Sequence, residues 1–429
     1  MAKKRKDLKY AAIIPLVGGM NIGMEKTLGD GRVPEWIVSY PEFAANDQLL
    51  LDYYDQRGLD VPYHVLNSDT NDFDDDSIMG SLGEVDIVTS LCPCAGLSQL
   101  NSSAAAGSSK ARGADAEQND WMYKSSRFIL EKVQPKVLWG ENAPNLFTAL
   151  GEKVRVRLFE IAKECGYSFS IVKTSTLFHG IPQNRSRTFF FFWKAEHAPL
   201  LNYIKKDHKP LDEYLKEIPD DAPNKDFFYQ NVDVVSDVPP FEFLLETSGL
   251  EYKDFLKESE KFSTIDEIIQ KDKYHDFMDW WNNNYPNGGT DKQNRVVAKM
   301  GRIYDKTVVR KAGGYWDSGP KHNVGYTNAI ISKNASWFLH PEEPRLLNGR
   351  ELIHMMAFPH DFEVDRKDIH KITQNVPACT AADWGNEVAK FCLGELESSG
   401  QEYLLQSNYQ EKIVKDKNVF VPQTSKALF

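Results

Sequence analysis

Short apolar runs separated by turn residues recur through the first half of the chain. Those at 11–17, 35–40, 63–66, 85–90, 137–140, 169–173 and 188–193 have the length and the β-branched or aromatic content of buried strands. Between them, segments 43–54, 121–133 and 147–165 repeat apolar residues at three- and four-residue intervals, as one-sided helices do. Strands alternating with helices predict an α/β fold with a doubly wound, mostly parallel sheet. In such sheets the chemistry gathers at the carboxyl ends of the strands.

The pattern then changes. Residues 99–120 are rich in Ser, Ala and Gly, have little to bury, and predict a mobile loop. The run Asp72, Asp74, Asp75 and Asp76 reads as a solvated acidic turn. From about residue 198 the alternation is lost. Residues 207–277 are acidic with helical stretches and no recognisable chemistry, and 282–326 are rich in Asn, Gly and aromatic residues. Helical spacing returns after Pro341, at 349–356 and 379–393.

Composition narrows the class. Hydrophobic content of 41% and charged content of 26% suit a soluble globular enzyme, here with room for one large core and a second, smaller one. Five cysteines without a small-scaffold pattern argue for a reducing compartment. Cys92 and Cys94, one residue apart with no nearby His or second pair, make a poor zinc signature, so no metal is expected. The basic start, Lys3 to Lys6, leads through the apolar stretch 11–17 into a glycine loop, which reads as a tail and first strand rather than a signal peptide. No apolar run approaches membrane-spanning length. The expected location is cytoplasmic.

A net charge of −11 does not suit a polyanion-binding protein as a whole. One segment departs from it. Between Lys292 and Lys311 there are seven Lys or Arg against a single acid, Asp305, and Lys299, Arg302, Lys306 and Arg310 form its centre. This patch is the expected site of phosphate contacts.

Three strand ends carry candidate chemistry. The run 85–90 leads to Pro93-Cys94, placing a thiol at the sheet mouth. The run 137–140 ends on Glu141-Asn142. Gln183-Asn-Arg185-Ser-Arg187 precedes the last strand, and residues two apart on an extended chain share a face, so both guanidinium groups are expected to point together. Thiol, carboxylate and arginine at successive strand ends form a kit for covalent catalysis.

In this order the segments resemble the DNA (cytosine-5) methyltransferases. Pro93-Cys94 with trailing Ser98 is similar to that family's nucleophile motif, and Glu141-Asn142-Ala143 to its Glu-Asn-Val motif. Gln183, Arg185 and Arg187 match its Gln-x-Arg-x-Arg motif. Gly18-Gly19-Met-Asn-Ile-Gly23 resembles half of its glycine-rich cofactor loop, Arg345 through Phe358-Pro359 a late arginine and Phe-Pro motif, and Gln374-Asn375-Val376-Pro377 its terminal motif. The likeness covers roughly 11–195 and 325–395.

The resemblance implies a Rossmann-like methyltransferase sheet with a smaller inserted target-recognition domain. The spans are then 1–197 for catalysis and cofactor, 198–326 for target recognition with an acidic insertion, and 327–429 for the return to the catalytic domain. It implies S-adenosylmethionine as donor and double-stranded DNA as substrate, a monomer in a bacterial host cell, and a bacteriophage or restriction-modification setting. Cys94 is expected as the nucleophile at cytosine C6, and Cys92 as structural. Glu141 is expected at N3 and the 4-amino group, with Arg187 assisted by Arg185 at O2. Cofactor contacts are expected from Gly18, Gly19, Gly23, Tyr40, Asp69, Asp86, Asn375 and Val376. The loop after Cys94 is expected to close over the base and bring Ser98, Lys110 and Arg112 to the DNA.

The chain also departs from the family. Ala12-Ile-Ile14-Pro-Leu16 lacks its Asp-Leu-Phe opening, and Ser39 stands where a ribose-binding acid is usual. Three alternatives stay open: an RNA cytosine-5 methyltransferase, a non-catalytic nucleic-acid-binding relative, and an enzyme using a modified S-adenosyl donor.

Overall fold

A computed structural model describes residues 4–66, 80–92, 95–98, 119–225, 227–228, 232–258, 261–314, 319–331 and 337–409. The first half runs β1 (Tyr10–Ile13), α1 (Gly19–Leu28), β2 (Ile37–Ser39), α2 (Ala44–Gln56), β3 (Tyr63–Val65) and β4 (Ile87–Ser90). It continues with α3 (Asn119–Phe128), β5 (Val137–Asn142), α4 (Glu152–Glu164), β6 (Ser168–Ser175), β7 (Gln183–Asn184) and β8 (Ser186–Trp193). The seven expected strands and three expected helices are present, some of them shorter and some longer than expected.

Among the elements not foreseen, two bear on the main sheet and its first crossover. The glycine segment after β1 is not only a loop: from Gly19 it winds into α1. Near the end of the described chain, Tyr403–Ser407 adds a further strand, β12, beside β6.

Among the described residues the main sheet has eight strands, in the order β12-β6-β8-β5-β4-β1-β2-β3. Neighbours β3, β2, β1, β4 and β5 are parallel, whereas β8 runs antiparallel to both β5 and β6. This reversal matters for the site. It brings the amino end of β8, with Arg187, to the edge where β4 and β5 deliver their carboxyl ends.

Strict alternation sorts the strand residues into two layers. On β8, Phe190 and Phe192 join the core against α3 and α4, while Phe189, Phe191 and Trp193 join the core against α1 and α13 (Ala378–Cys392). On that second face Trp139 stacks on Phe191 with centroids 5.8 Å apart, and Phe191 on Trp193 at 5.1 Å. Both faces are covered, which explains why these strands read as continuous apolar runs.

The middle of the chain is mostly helical. It contains α5 (Leu211–Leu215), α6 (Pro239–Ser248), α7 (Tyr252–Lys257), α8 (Thr264–Ile269), α9 (Tyr274–Asn284) and α10 (Asp291–Tyr304), with short strands β9 (Lys261–Ser263), β10 (Lys321–Asn323) and β11 (Thr327–Asn328). Phe241, Phe262, Ile268, Phe277, Trp281 and Met300 build a core of their own here. Thr327–Asn328 pairs with β7 and Ile330 joins the main body, whereas Leu339 and Leu346 still belong to the middle core, so the chain passes between the two before α11 (Gly349–His354). α12 (Ile369–Gln374) and α13 then complete the main body. Among the described residues no helix is long and apolar enough to cross a membrane.

Candidate active site and cofactor edge

The carboxyl edge of the sheet gathers three loops, each fixed by its own strand. After β1 the chain crosses to α1 through Ile14 (φ 52°), Leu16 (φ 52°) and Gly18 (φ 87°), three left-handed residues within five positions. Only Gly18 adopts that region without steric cost, so the loop carries strain of the kind that collects at ligand sites. The Ile14 amide donates to the Val38 carbonyl at 2.9 Å, and the Gly19 amide to Asn375 Oδ1 at 3.0 Å.

Those contacts revise the reason for the glycines. A Cβ on Gly19 would lie 2.1 Å from the Val376 carbonyl oxygen, and one on Gly23 would lie 2.5 Å from Ala381 Cβ. Gly19 and Gly23 let α1 close onto α13. Asn375 and Val376 meet α1 directly, Asn375 by accepting from the first turn and Val376 by burial in the core. Gly18, whose Cβ would strike Leu50 of α2, is the glycine that the loop conformation itself requires.

Two more expected cofactor contacts move. Asp86 precedes β4, at the opposite edge of the sheet; its carboxylate accepts from the Lys9 amide at 3.0 Å and pairs with Lys136 at 3.3 Å. A residue at the amino end of a strand cannot reach a site at the carboxyl end, so Asp86 staples β1, β4 and β5 instead. Tyr40 is fully buried, its ring 4.6 Å from Trp121 and 6.4 Å from Phe43 between centroids. It walls the core rather than offering an open stacking face. Asp69 lies outside the described residues.

β4 ends at Ser90, and the short turn Ala95–Leu97 follows, with Ser98 half-buried behind it. Cys94 lies outside the described residues, as do Lys110 and Arg112. Cys92 is described: it is buried, with Sγ 3.2 Å from Ser90 Oγ and 3.4 Å from Ser125 Oγ. Burial pushes its thiol pKa up, which disfavours the reactive thiolate.

Next to β4, strand β5 delivers Glu141. The side chain is buried, and Arg187 Nε meets its Oε1 at 2.6 Å. Burial drives the Glu141 pKa upward, opposed by the positive charge of Arg187 and then of Arg185. Such a carboxyl holds a proton more readily than a surface glutamate does.

Here the two arginines part company. Arg185 is fully buried, and its guanidinium donates to the carbonyls of Thr373 (2.9 Å), Gln374 (3.0 Å), Asn375 (2.7 Å) and Ile330. The expectation that it assists at the base is corrected: it clamps the segment before α13 onto β8. Gln183 acts likewise, donating to the Met355 carbonyl at 2.8 Å and accepting from the Ile330 amide at 3.0 Å. The two-residue strand period failed as a guide because Arg185 lies between β7 and β8, outside either extended segment.

Sequence reading missed Asp47 on α2. This carboxylate is fully buried, and it accepts from Tyr63 Oη at 3.0 Å. Among the described residues, its Oδ1 and the neighbouring Ser39 hydroxyl are both buried and meet no partner in full hydrogen-bond geometry. The signal was legible: Asp47, Leu50 and Tyr54 share the three-and-four spacing, so an acid stands on the apolar face of its helix. Orphaned acceptors at the end of β2, beside a strained glycine loop, fit a nucleoside whose hydroxyls need partners.

The basic segment forms α10 and its continuation. Lys292, Arg295, Lys299 and Arg302 recur at three- and four-residue intervals, opposite buried Gln293, Val297 and Met300. Lys306 and Arg310 follow and are exposed, although Arg310 also pairs with Asp305 at 2.8 Å. No group of three or more His, Cys, Asp or Glu suited to a metal ion occurs among the described residues.

A family model for the C-5 cytosine-specific DNA methylases matches residues 13–381. No curated protein matches the chain by sequence. Among solved structures, a protein described as a DNA modification methyltransferase encoded within an E. coli prophage aligns with a TM-score of 0.51 and 15% identity, over 90% of this chain and 99% of that one. A methyltransferase of Entamoeba histolytica, EhMeth, aligns with a TM-score of 0.52 and 12% identity, over 89% and 97%. At these identities the structural likeness speaks for the fold.

Proposed function

The chain belongs to the C-5 cytosine-specific DNA methylase family, and from that footing we propose that it transfers a methyl group from S-adenosylmethionine to C5 of a cytosine turned out of double-stranded DNA. The observation that carries the reading is the buried Glu141–Arg187 pair at the carboxyl edge, beside the end of β4. A carboxyl inclined to hold a proton and a guanidinium beside it match the acceptors N3 and O2 of a cytosine ring.

The order of events follows from the chemistry of the base. Cytosine C5 is a weak nucleophile within an aromatic ring. Addition of the Cys94 thiolate to C6 breaks the aromaticity and pushes an electron pair towards N3 and O2. Glu141 supplies a proton at N3 as this charge develops, and Arg187 donates at O2. Fixed donors of this kind contribute about 3–4 kcal/mol each. When bound, S-adenosylmethionine supplies an electrophilic methyl group on a sulfonium centre. Loss of the C5 proton and expulsion of the Cys94 thiolate then restore the ring. The glycine loop, the end of β2 and the first turn of α1 are the residues that would hold the cofactor. A base inside a duplex cannot present C6 to a thiol, so flipping is required.

Duplex DNA carrying 5-fluorocytosine at the target is expected to accumulate as a covalent protein–DNA adduct, because fluorine at C5 blocks the last proton loss. Denaturing electrophoresis reads it, with nucleoside mass spectrometry on ordinary DNA to identify 5-methylcytosine. Turnover without a trappable adduct would exclude addition at C6, and a product of another mass would exclude this donor.

The α10 stripe supports DNA as the polyanion despite the acidic whole. Replacing Lys299, Arg302, Lys306 and Arg310 together with Ala is expected to weaken duplex binding and reduce the slope of log K against log salt by about 3–4, since each phosphate contact releases roughly 0.9 counterion. Fluorescence anisotropy at several salt concentrations measures it. An unchanged slope would make the stripe an ordinary solvated face.

A further inference from the structure

The end of β2 lacks the acid usual in the family, yet a carboxylate stands close by from another element. Asp47 sits in the first turn of α2 with its side chain buried against β3, where Tyr63 Oη donates to it at 3.0 Å. The Ser39 hydroxyl and the Leu16 amide lie near enough to favour its charged form without completing its hydrogen bonding. Among the described residues, Asp47 Oδ1 and Ser39 Oγ are buried and meet no partner in full hydrogen-bond geometry, and both lie beside the strained loop that starts at Ile14.

Two buried acceptors incompletely bonded at one place are costly, because each has lost its hydration and is only partly compensated. Evolution tolerates that cost most readily where a ligand completes the set. A vicinal diol brings two hydroxyl donors, and one carboxylate with one hydroxyl suits it. We propose that Asp47, presented from α2 together with Ser39, replaces the strand-end acid and accepts the ribose hydroxyls of the nucleoside cofactor. This rests on the cofactor reading above and deepens it.

Electrostatics agree with the geometry. Burial raises the Asp47 carboxyl to about 6, against which Ser39 of β2, Tyr63 of β3 and the Leu16 amide of the loop act only in part. The folded protein therefore holds the proton more tightly than the unfolded chain does. The stabilisation from that proton is complete below the unfolded pKa of 3.8 and is lost as pH rises through about 6. At neutral pH the empty protein carries an ionised buried acid, which is a burden to folding and an asset only to a ligand with donors.

The test uses the full chain and two probes, S-adenosylhomocysteine and its 2′,3′-dideoxy analogue, titrated calorimetrically at pH 7.5. The unaltered protein is expected to prefer the ribose form by about 10–100-fold, the range of a charge-assisted hydrogen bond. Asp47→Asn should lose most of that preference, weakening the ribose probe while leaving the dideoxy probe nearly unchanged. Its thermal midpoint without ligand should be equal or higher at pH 7.5. Equal weakening of both probes would show that Asp47 only supports the loop, and would overturn the proposal, as would an intact preference. Should Asp47→Asn fail to fold, Ser39→Ala decides: it should lose part of the preference, and an undiminished one overturns the assignment. Failure of the unaltered protein to bind either probe would instead remove the cofactor reading, and this proposal with it.

Discussion

Replacing Cys94 with serine is expected to abolish methyl transfer, by at least about 10⁴-fold, while Cys92→Ser retains substantial activity. The magnitude follows from removing a covalent nucleophile, whose loss is not made up by the groups that remain. An alcohol at neutral pH is almost wholly protonated, and its addition to C6 would need a base strong enough to ionise it. Cys92 is a poor candidate for that role on physical grounds. Its sulfur is enclosed between two serine hydroxyls, and burial holds the thiol protonated. Single-turnover assays with radiolabelled donor measure both variants, alongside thermal melts to confirm folding. Activity that survives Cys94→Ser and dies with Cys92→Ser would reverse the assignment.

The second large effect separates the two arginines of one motif. Arg187→Ala is expected to lower kcat by roughly 10²–10³-fold with little change in thermal midpoint, since it removes a donor to developing charge and leaves Glu141 free to take up a proton. Glu141→Gln should fall by a similar factor, as an amide can donate a hydrogen bond but cannot give up its proton. Arg185→Ala is expected to act on the fold. It strips the donor from four backbone carbonyls, at a cost of about 3 kcal/mol or more, and the midpoint should drop by several degrees. Parallel calorimetric melts and steady-state kinetics distinguish the two outcomes. A stability loss confined to Arg187→Ala would contradict this division of labour.

The pH dependence carries a sign as well. If protonated Glu141 is the active form, kcat falls as pH rises through its pKa, and burial places that limb above the ordinary carboxylate range. Arg187→Ala removes the charge that opposes the shift, so the limb should move to higher pH in what activity remains.

The sequence by itself determined the sheet, because residues buried on both faces must be apolar at every position, and runs such as Phe189–Phe192 show it without reference to anything distant. It also determined which strand ends carry chemistry: Glu141 follows its run directly, and Arg187 sits one residue from the next. What tertiary structure decided were the pairings between residues far apart in the chain. Arg185 finds its acceptors around Asn375, Gly19 its limit against Val376, and Asp86 its partner in the Lys9 amide, none of them visible in local spacing. Two residues apart along a chain can face one way only while the backbone stays extended, and between β7 and β8 it does not. The strand β12 escaped notice because its pattern is ordinary and only its place beside β6 makes it part of the sheet. Asp47 lies between these cases. Its helix spacing marked it as buried, but only the folded chain brings it to the end of β2, where Ser39 leaves a carboxylate wanting.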